Sequence, residues 1–411
     1  QDSKTIMINN AADAIESEVI KHRHYFHQFP ELSNREFKTS DKIVEVLKKM
    51  GYKPEQGMAH TGVVAVLDSG KPGPTIGLRA DIDGLPVEEK NNLDFKSDQR
   101  STYQGKDVGV MHACGHDTHI SMLLGVAQVL QDIKDQLTGK VVFVFQPAEE
   151  GAPPGEEGGA ALMIKEGLIK KYGIEVMFGQ HISSGINAGM ITYKLGGMMA
   201  AADRFEIKVI GKQAHGSRPW SGVDPIVTSA QIIMGLQTII SRQTDLTKEA
   251  AVITVGKIEG GVRNNIIPES CTMIGTIRTL DTDMQDIIHA KIRKTATAIA
   301  ESQGATVEID IIKNCPVTFN DLSLTRKMLP SLYKAVGEDN VRVIPAITGA
   351  EDFSFYALEV PALFYFVGGK NITEENPGPH HSPLFYVEDA GMKSGVKAML
   401  HLTLDYMELS K

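Results

Sequence analysis

The sequence predicts an α/β fold, a mixed and mostly parallel sheet covered by helices, interrupted by an inserted α+β domain of ferredoxin-like design. Three observations point there. Helical and strand periodicities alternate through the first half of the chain, the pattern of a helix-covered parallel sheet. Residues 204–312 read instead as two successive β-helix-β units, the order of a split β-α-β sandwich. Past residue 313 the α/β alternation resumes, so the middle is an insertion, with expected boundaries of 1–198 and 313–411 for the larger domain and 199–312 for the smaller.

Taken in order, residues 11–25 read as a helix, and 40–50 place Ile43, Val44, Val46, Leu47 and Met50 at helical spacing before Gly51 stops them. Residues 63–67 and 75–78 are short β-branched runs bounded by Gly and Pro clusters. A helical pattern over 118–133 leads into 140–145, a near-continuous apolar run of the kind buried on both faces. Helix then strand recurs at 159–167 and 175–181. The insertion reads as strand 204–210, helix 224–242, strands 251–256 and 271–279, helix 283–303 and strand 306–312. A helix at 322–336, a strand at 362–367 and a last helix from 389 to about 409 complete the chain.

Composition narrows the function classes. The 411 residues carry 42 Lys+Arg against 51 Asp+Glu, a net charge of −9, with the basic residues dispersed, so nucleic acid is not an expected partner. No apolar stretch reaches the roughly 18 residues of a membrane span, so no membrane insertion is expected. Cys114, Cys271 and Cys315 are too few and scattered for a disulfide framework. The chain starts at Gln1 rather than Met, which fits either a cytoplasmic protein with a trimmed end or an exported one after removal of a signal peptide.

Nucleotide-binding glycine loops, the Gly-x-Ser-x-Gly elbow and the His-Glu-x-x-His helix are all absent. What stands out are metal-ligand types near the ends of predicted strands, the edge at which open α/β sheets place their sites. In His112-Ala113-Cys114-Gly115-His116-Asp117-Thr118-His119, Gly115 permits a tight turn, so Cys114 and His116 can face one metal or a pair. His119 and Asp117 read as supporting residues, Asp117 as a cap of the following helix. In Gln146-Pro147-Ala148-Glu149-Glu150-Gly151, adjacent carboxylates leave a strand in different directions, so one can bind a metal while the other holds a water. His181 and the pair His380-His381 bring the inventory to five ligands, more than one structural zinc takes and suited to a two-metal site with a bridging ligand.

The ordered motifs Arg79-Ala80-Asp81-Ile82-Asp83-Gly84-Leu85-Pro86, His112 to Asp117 and Gln146 to Gly151 resemble the zinc aminoacylase/carboxypeptidase superfamily of dinuclear metallopeptidases. Within it the chain is most similar to the amidohydrolase branch of hippurate hydrolase, N-acyl-amino-acid amidohydrolases and auxin-conjugate hydrolases. The resemblance implies that Cys114 bridges two metals, with His116 and His181 completing one coordination sphere and Glu150 and His381 the other. It selects His381 because the family's last ligand precedes a Ser-Pro or Asn-Pro dipeptide. It makes Glu149 the general base, and it makes His215, in Gly211-Lys212-Gln213-Ala214-His215-Gly216-Ser217, an oxyanion-stabilising residue that reaches from the partner subunit of a homodimer formed through the inserted lid domain. Asn265 and Arg278 would hold the substrate's amino-acid part, an amide and a guanidinium being suited to a carboxylate. Gly349-Ala350-Glu351-Asp352-Phe353 also matches a family motif and reads as scaffold.

Two departures bear on the branch. The carboxypeptidases have a His-x-Asp ligand motif where this chain has Arg79-Ala80-Asp81, so Arg79 cannot bind metal and Asp81 reads as an orienting residue. The run from Gly151 to Glu157 is rich in Pro and acid and bears on access to the site. The expected activity is hydrolysis of N-acetyl, N-benzoyl or indole-acyl amino acids by a water that two divalent cations activate and Glu149 deprotonates. Zinc or manganese is the expected metal, and the donor set also accommodates cobalt or nickel. A dipeptidase or carboxypeptidase acting on free peptides would use the same site. A silent binding protein would have no need of both the base and every ligand.

Overall fold

The structure, a computed structural model, describes residues 2–373, 375 and 378–410. Two compact units emerge, one of residues 1–196, 319–345 and 355–411, the other of residues 197–318 and 346–354. The segment 346–354, which carries the Gly349 to Phe353 motif, packs with the second unit.

The first unit is built on an eight-stranded sheet in the order Glu55–Met58, Gly62–Asp68, Lys140–Gln146, Thr75–Asp81, Val176–Asn187, Ala362–Lys370, Ile191–Tyr193, Val341–Val343. Its four central strands run parallel, and antiparallel pairings lie toward the edges. In Lys140–Gln146 every residue after the first is buried, as expected of a strand covered on both faces. Helices Ser3–Gln28, His116–Asp132, Leu322–Val336 and Met392–Leu409 contribute Ile8, Leu123, Met328 and Leu400 to the core that covers the sheet. Because the central strands share a direction, Asp81 and Gln146 are register partners at the C-terminal edge and deliver the chain after each to the same place.

Three differences from the sequence reading have local causes. The first helix begins at Ser3, where the Asp2 carboxylate caps it by accepting from the Thr5 N–H at 2.7 Å. The edge strand Glu55–Met58 and the hairpin Arg100–Tyr103/Lys106–Gly109 carry no apolar alternation, so periodicity does not reveal them. The strand begun at Val176 runs on to Asn187, which places His181 inside it rather than at its end.

The second unit is a four-stranded antiparallel sheet in the order Ala251–Gly260, Ser270–Thr279, Ala201–Ile210, Thr306–Cys315, packed against helices Pro225–Gln243 and Thr282–Ser302. Burial alternates along Ala201–Ile210, with Phe205, Ile207 and Val209 meeting Leu236 and Ile292. Asp224 and Asp281 cap the two helices. This is the ferredoxin-like arrangement. Among the described residues no helix is long and apolar enough to cross a membrane.

Candidate functional site

The site grows from three turns of the first unit that the backbone holds in unusual conformations. Gly115 has φ +90°, and a Cβ there would lie 2.5 Å from Ile182 Cγ2, so only glycine lets the chain turn between Cys114 and His116. Ala148 (φ +53°) and His381 (φ +63°) are left-handed without being glycine, a strain that surrounding bonds must hold. The Glu36 carboxylate accepts from the Ala148 N–H at 2.9 Å, and the Ala113 carbonyl accepts from the His381 N–H at 2.8 Å. The second bond ties the C-terminal histidine to the Cys114 segment directly.

These turns gather side chains from four parts of the unit around the Cys114 sulfur. His381 Nε2 lies 3.3 Å from it, His181 Nε2 3.4 Å and His380 Nδ1 3.6 Å. Glu150 Oε1 is 3.2 Å from His381 Nε2 and 3.9 Å from His116 Nε2, and Glu149 Oε2 is 3.7 Å from His116 Nε2. Cys114, His116 and Glu150 can converge on one ion, as can Cys114 with His181 and His380 or His116 with His119 and His181.

Hydrogen bonding separates the five imidazoles. A carbonyl can only accept, so His116 Nδ1, 2.9 Å from the Asp83 carbonyl, and His181 Nδ1, 2.6 Å from the Ile182 carbonyl, both carry the proton. Each ring therefore turns its Nε2 toward the cluster. His119 is spent on both sides: Nε2 accepts from the Ile182 N–H at 2.8 Å and Nδ1 donates to Asp81 at 2.5 Å. His380 Nε2 accepts from the Ser184 N–H at 3.2 Å, so in the neutral ring Nδ1 bears hydrogen and points a donor, not a lone pair, at the Cys114 sulfur. His119 and His380 are thus unsuited to bind an ion as placed, whereas His381 keeps Nε2 facing both Cys114 and Glu150.

The electrostatics describe a cluster short of positive charge. Burial penalises a proton on His116, yet Asp81, Asp83 and Glu150 outweigh it and push that ring up to about 10. Burial, then Glu150 and Glu149, drives the Cys114 thiol well above its ordinary range. Burial holds His181 well below the usual value and His380 at about 4. His116 Nε2 is buried and has no hydrogen-bond partner. A buried Nε2 that holds a proton without a hydrogen-bond partner, beside a thiol and two carboxylates, is where a divalent cation would take the proton's place, and the S, N and O donor set suits such an ion.

Residues outside the motifs' obvious ligands support the cluster. Asp81 is bonded by His119 and by Arg79 Nη1 at 3.0 Å, and Arg79 Nε also donates to Gln146 at 2.8 Å, so the fully buried guanidinium fixes the ends of two strands. Asp83 accepts from the Glu150 N–H at 3.0 Å and from the Ser33 hydroxyl at 2.7 Å. Sequence reasoning missed Glu36 and Asp83 as site residues, because their partners lie 112 and 67 positions away. Asp117 does not cap the helix His116–Asp132, whose N-terminus has no side-chain cap; it turns instead to Arg23 and His27.

In the second unit His215 and Asn265 lie together, through the Gly216 N–H to the Asn265 carbonyl (2.8 Å) and the pairing of His215 with Ile266. Arg278 stands on the strand Ser270–Thr279, its Nε donating to the Thr276 hydroxyl at 3.2 Å. The Glu351 carboxylate accepts from the Phe353 N–H at 2.8 Å.

The sequence pattern of peptidase family M20/M25/M40 matches residues 77–405, a span that includes all three motifs of the cluster. The chain belongs to that family. It is 38% identical over 404 residues to thermostable carboxypeptidase 2 of Saccharolobus solfataricus, covering 97% of this chain and 98% of that one. It is 36% identical over 380 residues to the N-acetyl-L-cysteine deacetylase of Bacillus subtilis, covering 92% and 85%. Among solved structures it resembles a dinuclear metal-binding M20 peptidase of Bacillus subtilis, with a TM-score of 0.80 and 31% identity over 96% of this chain and 99% of that one. The M20 protein described here is therefore a hydrolase, as its motifs led us to expect.

Proposed function

We propose that this M20 hydrolase cleaves the amide bond of N-acyl amino acids with two divalent cations, zinc or manganese, held by Cys114, His116, Glu150, His181 and His381. The observation that supports the reading is the convergence of imidazole and carboxylate donors on the Cys114 sulfur, with Glu149 Oε2 only 3.7 Å from His116 Nε2. Cys114, His116 and His181 would hold one cation, and Cys114, Glu150 and His381 the other. The cations would supply Lewis-acid polarisation of the scissile carbonyl and a lowered pKa for the attacking water. Glu149 takes the proton from that water and hands it to the amine nitrogen as the C–N bond breaks. His381 is held by the Ala113 carbonyl and His116 by the Asp83 carbonyl, so both present Nε2 without rearrangement. His215 stabilises the oxyanion from the partner of a homodimer formed through the inserted domain, and Asn265 and Arg278 hold the substrate carboxylate.

Arg79, buried and bonded to Asp81 and Gln146, occupies the place of a ligating His in the exopeptidases and favours the amidohydrolase reading. The likeness to a protein named as a carboxypeptidase favours a second reading, hydrolysis of free peptides at the same cluster. Release of amino acid from N-acetyl, N-benzoyl and indole-acyl amino acids and from plain dipeptides, with added zinc or manganese and with chelator, decides between them. Chelator-sensitive cleavage of acylated compounds is the expected result. Cleavage of dipeptides alone would establish the peptidase, and silence throughout would overturn both.

A further inference from the structure

A cavity of about 430 Å³ opens beside the cluster within the first unit, with Glu150 among the residues that line it. Its walls are apolar: Leu32, Leu85, Tyr103, Pro153 and Pro154 line it. Each comes from a segment with a reason to stay in place. Tyr103 ends the first strand of the hairpin Arg100–Tyr103/Lys106–Gly109, whose Gln104-Gly105 turn has φ of +49° and +76°, the paired positive values of a tight two-residue hairpin. Arg100 Nε donates to Asp107 across the strands at 2.9 Å. At the hairpin's far end Gly109 lies so near Glu88 that a Cβ would sit 2.6 Å from the Glu88 Cα, which keeps the hairpin close to the segment following Leu85. Pro153 and Pro154 stiffen another stretch of the lining.

The charges at this cavity exclude an anionic occupant. Among the described residues that line it the one cation is Arg35, whose Nη1 and Nη2 already donate to Glu156 at 3.0 and 2.5 Å, and Glu150 adds a further negative group. An amide substrate presents two sides to a hydrolytic centre, and the amino-acid side carries a carboxylate that this cavity repels. The neutral side is the acyl group, whose carbonyl carbon is the reacting atom and so is tethered next to Glu150. An acetyl group leaves most of such a space empty, whereas pockets of roughly 300–1,000 Å³ suit ring-sized ligands.

Resting on the amidohydrolase reading, we propose that this cavity is the acyl subsite and that it selects N-acyl amino acids with a bulky apolar acyl group, aromatic or medium-chain, over N-acetyl compounds. Thr102 and Tyr103 are then specificity-determining residues. Filling the space with Thr102→Trp competes with the acyl group directly, and Tyr103→Ala removes one wall; both positions are exposed and neither change demands a new backbone conformation.

The test is the ratio of kcat/KM for N-benzoylglycine to that for N-acetylglycine. Wild type is expected to favour benzoyl by roughly a hundredfold, given the several apolar carbons buried. Thr102→Trp should lower the ratio at least tenfold and Tyr103→Ala by less, while the ratio of N-acetylleucine to N-acetylglycine moves less than twofold. Thermal melting confirms that each variant folds. A variant that shifts the leucine ratio instead, or neither ratio, overturns the acyl assignment. Failure of wild type to cleave any N-acyl compound would sink the amidohydrolase reading alone, and the cavity is then decided by calorimetric binding of benzamide and indole-3-acetamide. Binding to wild type that Thr102→Trp abolishes upholds an apolar ring subsite; equal binding by both proteins, or by neither, overturns it.

Discussion

Two buried clusters of similar side chains flank the start of the helix His116–Asp132, and they differ in whether the chain neutralises its own charge. In one, Asp117 accepts from Arg23 Nε at 3.1 Å and meets His27 Nδ1 at 2.9 Å, His27 Nε2 reaches Glu89 at 3.0 Å, and Arg23 Nη1 reaches Asp389 at 2.6 Å. Every charged group there has an opposite charge. In the other, built around Cys114, carboxylates and a thiol surround His116 Nε2, which has no hydrogen-bond partner. His116 and Asp117 are adjacent in sequence, yet successive helical residues project about 100° apart, so each joins a different cluster. The lesson is chemical: a charge set completed within the chain holds the fold, and one left incomplete invites an ion.

The sharpest way to break this comparison is to remove the Cys114 sulfur. Cys114→Ala should lose bound metal, read by elemental analysis, and lower turnover by more than about 10³-fold, because in the proposed ligand set both cations would depend on it. Glu149→Gln should keep two metals per chain while kcat falls by roughly 10²–10⁴. An active Glu149→Gln enzyme would remove the base assignment. Chelation should lower the melting temperature of wild type and leave that of Cys114→Ala unchanged, since only a bound ion couples to folding.

The internally neutralised cluster should respond in stability instead. Arg23→Met takes the buried guanidinium from both Asp117 and Asp389 and should cost about 3–5 kcal/mol in denaturant unfolding, whether or not metal is present. His27 supplies a pH signature. Burial opposes its charge, but Asp117 and Glu89 outweigh burial and Arg23, raising it from 6.5 to about 8. The proton is held more tightly in the folded state, so this stabilisation, about 2 kcal/mol, is complete below about pH 6.5 and is lost as pH rises through about 8. Melting temperatures across that window should fall, and His27→Gln should flatten the fall. The smallest effect belongs to Glu36, where replacement by Ala leaves the Ala148 N–H buried without its acceptor; a loss of about 1–3 kcal/mol is expected, with a lower kcat because Ala148 precedes Glu149.

Elements with strong apolar periodicity were legible before any coordinates. The buried strand Lys140–Gln146, the helix Leu322–Val336 and the alternating strands of the insertion all declare themselves in one dimension, because burial on one face or two imposes a period on the chain. The edge strand Glu55–Met58 and the hairpin at 100–109 did not, since solvent-facing strands impose none. The motifs around Cys114 and Glu149 were equally plain, and the family they suggested is the one whose pattern covers residues 77–405.

By itself, then, the sequence determined the α/β fold with its ferredoxin-like insertion, the family, and the chemical types available for a metal centre, because those are written in local periodicity and in short runs of residues. Only the tertiary structure decided what each group does with its hydrogen bonds. His380 and His381 are identical neighbours, and the Ser184 N–H occupies the acceptor nitrogen of one while the Ala113 carbonyl holds the backbone of the other. Asp117 was readable as a cap, yet Arg23 and His27, about ninety residues earlier, claim its carboxylate. A side chain's protonation and partners depend on atoms brought together from distant parts of the chain, and no spacing along the sequence records them.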